Sequence, residues 1–413
     1  MPPETEIDRA IRGFLRDKGK GEAGESGNYR SDAERELRRF LNWLWADLNP
    51  RLDIGTVADA DEDALDLDAH TAPTFSALDE RTFRRYARHL VSQGYSKGTT
   101  RTYYAYVASF CGWSVDEGHL PRHYANTGVA RAPLPDDDGR KPGDQQAWTA
   151  EQRDVLTRHV DARADRALDA RSEEGDEIGA VRACRDRAIA YVLAYTGVRA
   201  TEVFADREDE RRNGIRWGEV NLDDGGITIL RKKQGWDDAP LPEPVIHPLS
   251  IHRRVLDPPN DEWPVFPTLH RPTLSEAVHD TLGEDGVARA REKHGSDLFV
   301  CRARGITPPA LSSNAARRVM KQLCDAAPID VDDDRHEYLA PHGGRRGMGE
   351  VLVRQYGYAA AARYLDNSEE MVRQRYSHIE AGRQADRATR ALVESDSRVR
   401  SPDESADESA TRD

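Results

Sequence analysis

The stretch VARAPLPDDDGRKPGDQQ, residues 129 to 146, constrains the fold more than any other part of the chain. It mixes proline, glycine and aspartate without apolar periodicity, so neither a helix nor a strand is expected to run through it. It reads as a linker, and the chain is expected to build a separate core on each side. At 413 residues there is apolar material for two or three domains.

Ahead of the linker every periodic segment is helical. Ile7, Ile11, Phe14 and Leu15 make one short amphipathic pattern, followed by the hinge-like GKGEAGESG. YRSDAERELRRFLNWLWADL places Leu37, Phe40, Leu41 and Leu44 on one face. After an acidic, alanine-rich connection, ERTFRRYARHLVSQGYS forms a second helix of this kind. SKGTTRTYYAYVASFCGWSVDEGHL forms a third, with Tyr103, Tyr106, Val107 and Phe110 spaced for burial. A flexible segment with a short helix is thus expected over 1–27, and an all-helical domain over 28–127. Beyond the linker, Thr149 and Gln152 form a T-x-x-Q capping box that opens a new domain. RDRAIAYVLAYTGVRATEVFAD reads as strongly helical. IRWGEVNL and GGITILRKKQGWDDAPLPEPVIHPL alternate and carry Gly, Pro and Trp, so they read as a hairpin or three-stranded sheet. Helices return to about residue 395, and SPDESADESATRD reads as a disordered acidic tail.

Composition narrows the function. Mean hydropathy is −0.78 and no apolar run reaches the length of a membrane span, so a cytoplasmic protein is expected. Cys111, Cys184, Cys301 and Cys324 lie far apart with no CxxC, which argues against a zinc ribbon or a disulfide framework. The net charge is −14, and only 8 of the 60 basic residues are lysine, a pattern that suits solubility in high salt or follows from an arginine-biased coding sequence. Nucleic-acid binders normally carry a basic footprint, so any DNA contact here must rest on local clusters. Asp59, Asp61 and Asp63 begin like a calcium loop, but Ala64 and His70 stand where its glycine and glutamate belong. DVDDD (330–334) reads as a solvated acidic loop, and no P-loop, HExxH, GxSxG or GxGxxG motif is present.

Four local features remain. In TGVRATEV, Arg199 lies three residues before Glu202, where the acid can orient the guanidinium; a surface ion pair reads the same way. Lys232 and Lys233 sit at a hairpin tip, where solvated charges are common. PHGGRRGM puts His342 and Arg345 at i,i+3 behind two glycines that each lower helix propensity by roughly 1 kcal/mol. Close backbone approach or turn chemistry would explain that pair. Finally, YLDNSEEMVRQRYSHIE places Tyr376 nine residues after Asn367, flanked by Arg373, Arg375 and His378; alone, Tyr376 reads as a core aromatic.

In this order and spacing the features resemble the catalytic half of the tyrosine recombinase (phage integrase) family, over residues 147–390. TGVRATEVFAD looks like that family's first arginine box, IRWGEVNLDDGGITILRKKQG like its lysine-bearing hairpin, and APHGGRRGMGEVLV and YLDNSEEMVRQRYSHI like its second box and tyrosine segment. ITPPALSSNAARRVMKQLC, ahead of the second box, also fits. The N-terminal half resembles, more loosely, the family's helical core-binding (SAM-like) domain. The resemblance implies a mainly α fold, with the core-binding domain (28–127), a linker (128–146), a mostly helical catalytic domain carrying a small antiparallel β-sheet (147–390), and a disordered tail (391–413). It implies site-specific recombination of double-stranded DNA through a 3′-phosphotyrosyl link, with no metal and no cofactor. Its partners would be DNA with specific recombination sites, further copies of the chain in a tetramer, and accessory DNA-bending proteins. A type IB topoisomerase-like relaxing enzyme or an inactive DNA-binding relative are the alternatives. The roles implied are Tyr376 as nucleophile, Arg199 and Arg345 as phosphate clamps, His342 as proton-transfer or phosphate-oxygen partner, and Lys233, rather than Lys232, as proton donor to the leaving oxygen. Lys232, Arg231, Arg346, Arg373 and Arg375 would contact DNA. The sequence departs from the family pattern at Asn367, where His or Trp is usual, and at the Gly-Gly pair between His342 and Arg345.

Overall fold

The computed structural model describes residues 5–20, 24–49, 72–136, 145–232, 235–333 and 336–400. The calcium-like run at 59–68, Lys233, Asp334 and the tail beyond residue 400 lie outside them. By contacts the chain divides into two compact units, one of Met1–Gly139 with Arg207–Arg211, the other of Arg140–Asp206 with Arg212–Asp413.

Among the described residues the first unit has no regular element other than helices. It holds α1 (Glu6–Lys18), α2 (Asn28–Leu48), α3 (Glu80–Ser92), α4 (Lys97–Asp116) and the short α5 (Gly128–Arg131). Local chemistry sets the starts. Thr5 and Asp8 make a capping box on α1, Asp79 accepts from Thr82 N ahead of α3, and Ser96 does the same from Thr99 N ahead of α4. The core is aromatic: the Phe40 ring stacks on Phe83 at 5.8 Å and meets Tyr86 edge-on at 4.8 Å. Three details differ from the sequence reading. Ile7, Ile11, Phe14 and Leu15 of α1 are buried in this core, so the helical unit includes the segment before residue 28. On α4 the buried tyrosine is Tyr104, whose hydroxyl donates to Ala125 O at 2.8 Å; Tyr103 and Tyr106 are half-buried. The stretch expected to be linker contributes α5 at its start.

The second unit is mainly helical around a small sheet. In order it has α6 (Ala150–Glu174), α7 (Glu177–Tyr195), α8 (Ala200–Val203), β1 (Val220–Asn221), β2 (Gly226–Leu230), β3 (Trp236–Pro240), α9 (Glu243–Leu256), α10 (Arg271–His294), α11 (Asp297–Arg304), α12 (Ser313–Ala326), α13 (Pro341–Tyr364), α14 (Glu369–Arg375) and α15 (Ser377–Arg400). α7 is buried on almost all sides, from Ala180 through Ala194, and packs against α6, α9 and α13. The sheet is antiparallel in the order β1-β2-β3, with Ile227 opposite Ala239 and Leu230 opposite Trp236. Its inner face presents Ile227, Ile229 and Ala239 to the core. The run expected as one helix, RDRAIAYVLAYTGVRATEVFAD, is broken. α7 ends at Tyr195, Gly197 takes a left-handed φ of +69°, and the chain restarts as α8. α15 continues to Arg400, past the residue-391 boundary expected for the tail. No described helix is long and apolar enough to cross a membrane. All four cysteines are buried and free, and no group of metal-holding side chains occurs among the described residues.

His252 on α9 is wholly buried. One ring nitrogen, Nε2, lies 2.7 Å from Val265 O, and the ring stacks on Phe266. Burial, with Arg185 acting in the same sense, pushes its pKa down to about 4. The fold therefore favours the neutral ring, whereas the unfolded chain takes up a proton near the ordinary value of about 6.5. Stability from this group is intact above that value and is lost as pH falls toward 4. In urea melts at pH 7.5, 6 and 5, wild type should lose about 1.4 kcal/mol more per pH unit in the acid range than His252→Gln, which keeps an N–H donor. Parallel pH slopes for the two proteins would remove His252 from the account.

Candidate active site

The site is organised by the first turns of α13. The glycines of HGGRRGMG answer the question their sequence raised, because they mark close backbone approach. A Cβ on Gly343 would fall 2.6 Å from Gln146 Oε1 and 2.7 Å from Trp148 Nε1, one on Gly344 would strike Leu193 O of α7, and one on Gly347 would strike Trp148 O. Trp148 locks this arrangement, its N donating to Gly343 O at 3.1 Å and its Nε1 to Ala340 O at 3.0 Å. Gln146 Oε1 accepts from Ala340 N at 2.7 Å. The end of the expected linker is thus part of the support for α13.

Arg345 projects from this turn into the protein and is buried. Its Nη1 donates to Gly197 O at 2.5 Å and its Nη2 to Leu365 O. One guanidinium therefore joins the α7–α8 break to the α13–α14 connection. Desolvation, then the nearby Arg199 charge, draws its pKa down to about 10, so it is still a cation at neutral pH.

Both segments that Arg345 holds carry further polar groups. Arg199 lies at the N-cap of α8, not on a helical face, and is half-buried. Its main-chain N donates to Glu202 Oε2 at 2.7 Å, and its Nη1 to Glu202 Oε1 at 2.6 Å. Its Nη2 reaches Asn367 Oδ1 at 3.3 Å. Glu202 is buried and also lies 3.8 Å from Arg231 Nη1. Asn367 follows Asp366, which holds a left-handed φ of +46°. Aspartate tolerates that region better than most residues.

Tyr376 ends α14. Its ring is buried among Leu352, Val353, Ala361, Val372 and Ile379. Its hydroxyl donates to Arg346 O at 3.2 Å and rests against Gly349. Burial raises its pKa and Glu350 adds to this, while Arg375, Arg345 and Arg346 pull the other way. His378, two residues on, lies 3.5 Å from Glu350 on α13. His342 faces solvent, yet the protein packed around it, followed by Arg346, Arg345, Arg375 and Arg199, pushes its pKa down to about 4. Solvent contact weakens the desolvation effect; four guanidinium charges act in the same direction, so the neutral ring is favoured either way.

The remaining cations are distributed unevenly. Lys232 is exposed at the hairpin tip, and Lys233 lies outside the described residues. Arg231 departs from the expectation that it contacts DNA. Strand alternation turns its side chain to the inner face, where Nε bonds Asp237 at 3.1 Å and Glu202 lies beyond. Arg346 is half-buried and donates to Gln146 O at 3.0 Å. Arg373 is exposed and paired with Glu369 at 2.5 Å, and Arg375 is half-buried beside Tyr376. Sequence reasoning passed over Gly349, Trp148 and Arg212. Arg212 donates to Thr201 O, Leu230 O and Arg231 O at 2.8–2.9 Å and fastens the hairpin to α8. The third and fourth glycines of the run, Gly347 and Gly349, were the available signal.

The seat of the hydroxyl is testable. Gly349→Ala should cost about 1–3 kcal/mol in urea denaturation, because the new methyl and the Tyr376 hydroxyl claim one space. In a Tyr376→Phe background that cost should shrink by at least about 0.5 kcal/mol. Strict additivity would mean the two groups do not meet.

No family model matches the sequence, and no curated protein does. Solved structures do. The Tn1549 transposon integrase in complex with a circular intermediate DNA is 12% identical and aligns over 91% of this chain and 98% of that one, with a TM-score of 0.50. The XerH site-specific recombinase bound to difH substrate is 13% identical over 89% of each chain, at 0.48. A lambda integrase dimer bound to a core site is 14% identical over 90% and 93%, at 0.45. The comparison rests on the first of these, and at such identity it speaks to architecture alone. With one unit whose described elements are helices and one mainly helical unit built round a three-stranded antiparallel sheet, the chain has the integrase fold of the tyrosine recombinases.

Proposed function

We propose that this chain is a site-specific DNA recombinase that cuts and rejoins strands through a covalent link between Tyr376 and a 3′ phosphate. One observation carries the reading. Four segments distant in sequence, around Arg199, His342–Arg345, Asn367 and Tyr376, are drawn together by the bonds of Arg345 and by the Arg199–Asn367 contact.

The chemistry follows from the charges. A phosphodiester resists attack because nucleophile and phosphate are both electron-rich, so preorganised cations must meet the charge that develops on the non-bridging oxygens. Arg199 and Arg345 are planar donors suited to that task. Two of the five N–H donors of Arg345 are engaged by carbonyls, which leaves others for phosphate. Asn367 accepts from Arg199 through Oδ1, and its amide N–H₂ is available to a phosphate oxygen. His342, neutral at pH 7, would give or take a hydrogen bond rather than a charge. For attack, the Tyr376 oxygen exchanges the Arg346 carbonyl for phosphorus and passes its proton to water as it leaves that seat. The P–O5′ bond breaks, and Lys233 is assigned the proton transfer to the departing oxygen. The phosphotyrosyl ester conserves the bond energy, so attack by a new 5′ hydroxyl reverses the step on another strand. Lys232, Arg373 and Arg375 would lie along the DNA backbone. Exchange between two duplexes requires several copies of the chain, and a tetramer would supply one nucleophile per strand.

Two experiments test this on a nicked suicide duplex carrying the recombination site. Tyr376→Phe should form no denaturant-stable protein–DNA adduct while retaining DNA binding; an adduct that persists in this variant would sink the assignment. Arg199→Ala should slow adduct formation by about 10²- to 10³-fold, the range for loss of a preorganised donor. A loss under about fivefold would place the phosphate elsewhere.

A further inference from the structure

Trp236 is left unexplained by the fold. Of the seven tryptophans, Trp148, Trp217 and Trp263 are fully buried, whereas Trp236 exposes 55% of its surface. An indole so placed loses apolar burial that the core a few ångströms away would supply. It begins β3, directly opposite Leu230. Strand alternation sorts the hairpin into two faces. By register Ile227, Ile229, Arg231 and Ala239 lie on the inner face and Thr228, Leu230, Trp236 and Asp238 on the other, where Leu230 is buried and Trp236 exposed, with Lys232 exposed at the adjoining tip. The nearest acidic groups are engaged within the sheet. Asp237 takes Arg231 Nε at 3.1 Å, and Asp238 takes Thr228 Oγ1 at 2.8 Å one rung farther from the tip. What this end of the hairpin exposes is an indole on one strand and an ammonium group on the other.

The hairpin is also fixed to the proposed phosphate site. Arg212 binds the carbonyls of Leu230, Arg231 and Thr201, and Arg231 lies 3.8 Å from the Glu202 that orients Arg199. The hairpin that carries Trp236 is therefore tied to the segment that carries Arg199.

We propose that Trp236 is a stacking platform for a DNA base next to the cleaved position, with Lys232 on the adjoining phosphate. The proposal rests on the recombinase reading and adds a residue to it. A flat aromatic accepts any base, so it contributes affinity and strand position, and its contribution is nearly independent of salt. The lysine's contribution declines as salt rises. In an acidic chain, stacking supplies attraction that net charge does not.

The test uses indole fluorescence and binding of a short duplex with a single-nucleotide gap. Wild type should be quenched on binding, and Trp236→Phe should bind without most of that quenching. Trp236→Ala should bind about 5- to 150-fold more weakly with an unchanged salt slope, whereas Lys232→Ala should flatten the slope. Full affinity and full quenching in the Trp236 variants, with wild type binding DNA, would overturn the platform and leave the recombinase reading standing. If wild type itself binds no DNA, both fall together. Because Trp236 is largely exposed, its replacement leaves the fold intact, and melting temperatures should agree across the set.

Discussion

Arg345 is a cation with almost no access to water, and the site is arranged around that fact. Burying a guanidinium carries a penalty of several kcal/mol, which only well-placed acceptors offset. Here the acceptors are two main-chain carbonyls, Gly197 O and Leu365 O, each bond contributing roughly 1.5–3 kcal/mol as a charge-assisted contact. Satisfying the charge and positioning the loops are the same event. The α7–α8 break exists because Gly197 turns its carbonyl toward Arg345 with a backbone angle that a side chain would resist. A Cβ there would also meet Leu365, 2.8 Å away. The interaction that stabilises the buried cation brings the segments of Arg199 and Asn367 together, so that the two side chains meet at 3.3 Å.

The acidity of the chain becomes intelligible at this scale. A net charge of −14 is a property of the whole sequence, whereas a phosphate responds to what lies within a screening length of about 10 Å. Arg345 feels Arg199 and Arg231, with Glu202 as counter-charge, and His342 beside it feels Arg346, Arg345, Arg375 and Arg199. The depressed His342 is a consequence of this field, not an independent device. Tyr376 feels the same cations but is buried and close to Glu350, and burial prevails. In the free chain Tyr376 is accordingly a protonated phenol held on a carbonyl.

How far the sequence disclosed this depended on the range of each interaction. Arg199 and Glu202 were readable because their pairing spans three residues, and the capping box at Thr149 and Gln152 is equally local. The three-stranded sheet was readable from alternation and turn residues. Arg231 was misplaced because its orientation depends on strand register, which a hairpin tip of unknown length leaves undetermined by one residue, and one residue reverses the face. The helix break at Thr196 was hidden because a lone glycine inside an apolar run has the same appearance whether or not its φ is positive. Gln146 was read as the last residue of a linker, and Trp148 as the opening of the next domain, with no sign of what either would hold. Their partners, Tyr338, Ala340 and Gly343, lie some 190 residues away, where no local pattern could indicate them.

The turn at Asp366-Asn367 can be understood in the same terms. The connection after α13 must reverse tightly enough to present Leu365 O to Arg345 and a polar side chain to Arg199. A left-handed residue at 366 achieves this, and aspartate is among the few that occupy that region at modest cost. Asn367 then reaches Arg199 through an amide oxygen. An imidazole or indole in that position would bring bulk and, for histidine, a second titrating ring among three or four guanidinium groups, where His342 is already driven neutral. An amide is indifferent to that field. It has no proton to lose and one acceptor that a guanidinium, a pure donor, must satisfy. In a site this densely cationic, Asn367 supplies hydrogen bonding that does not vary with pH, and the geometry that Arg345 imposes is what keeps so short a side chain within reach of Arg199.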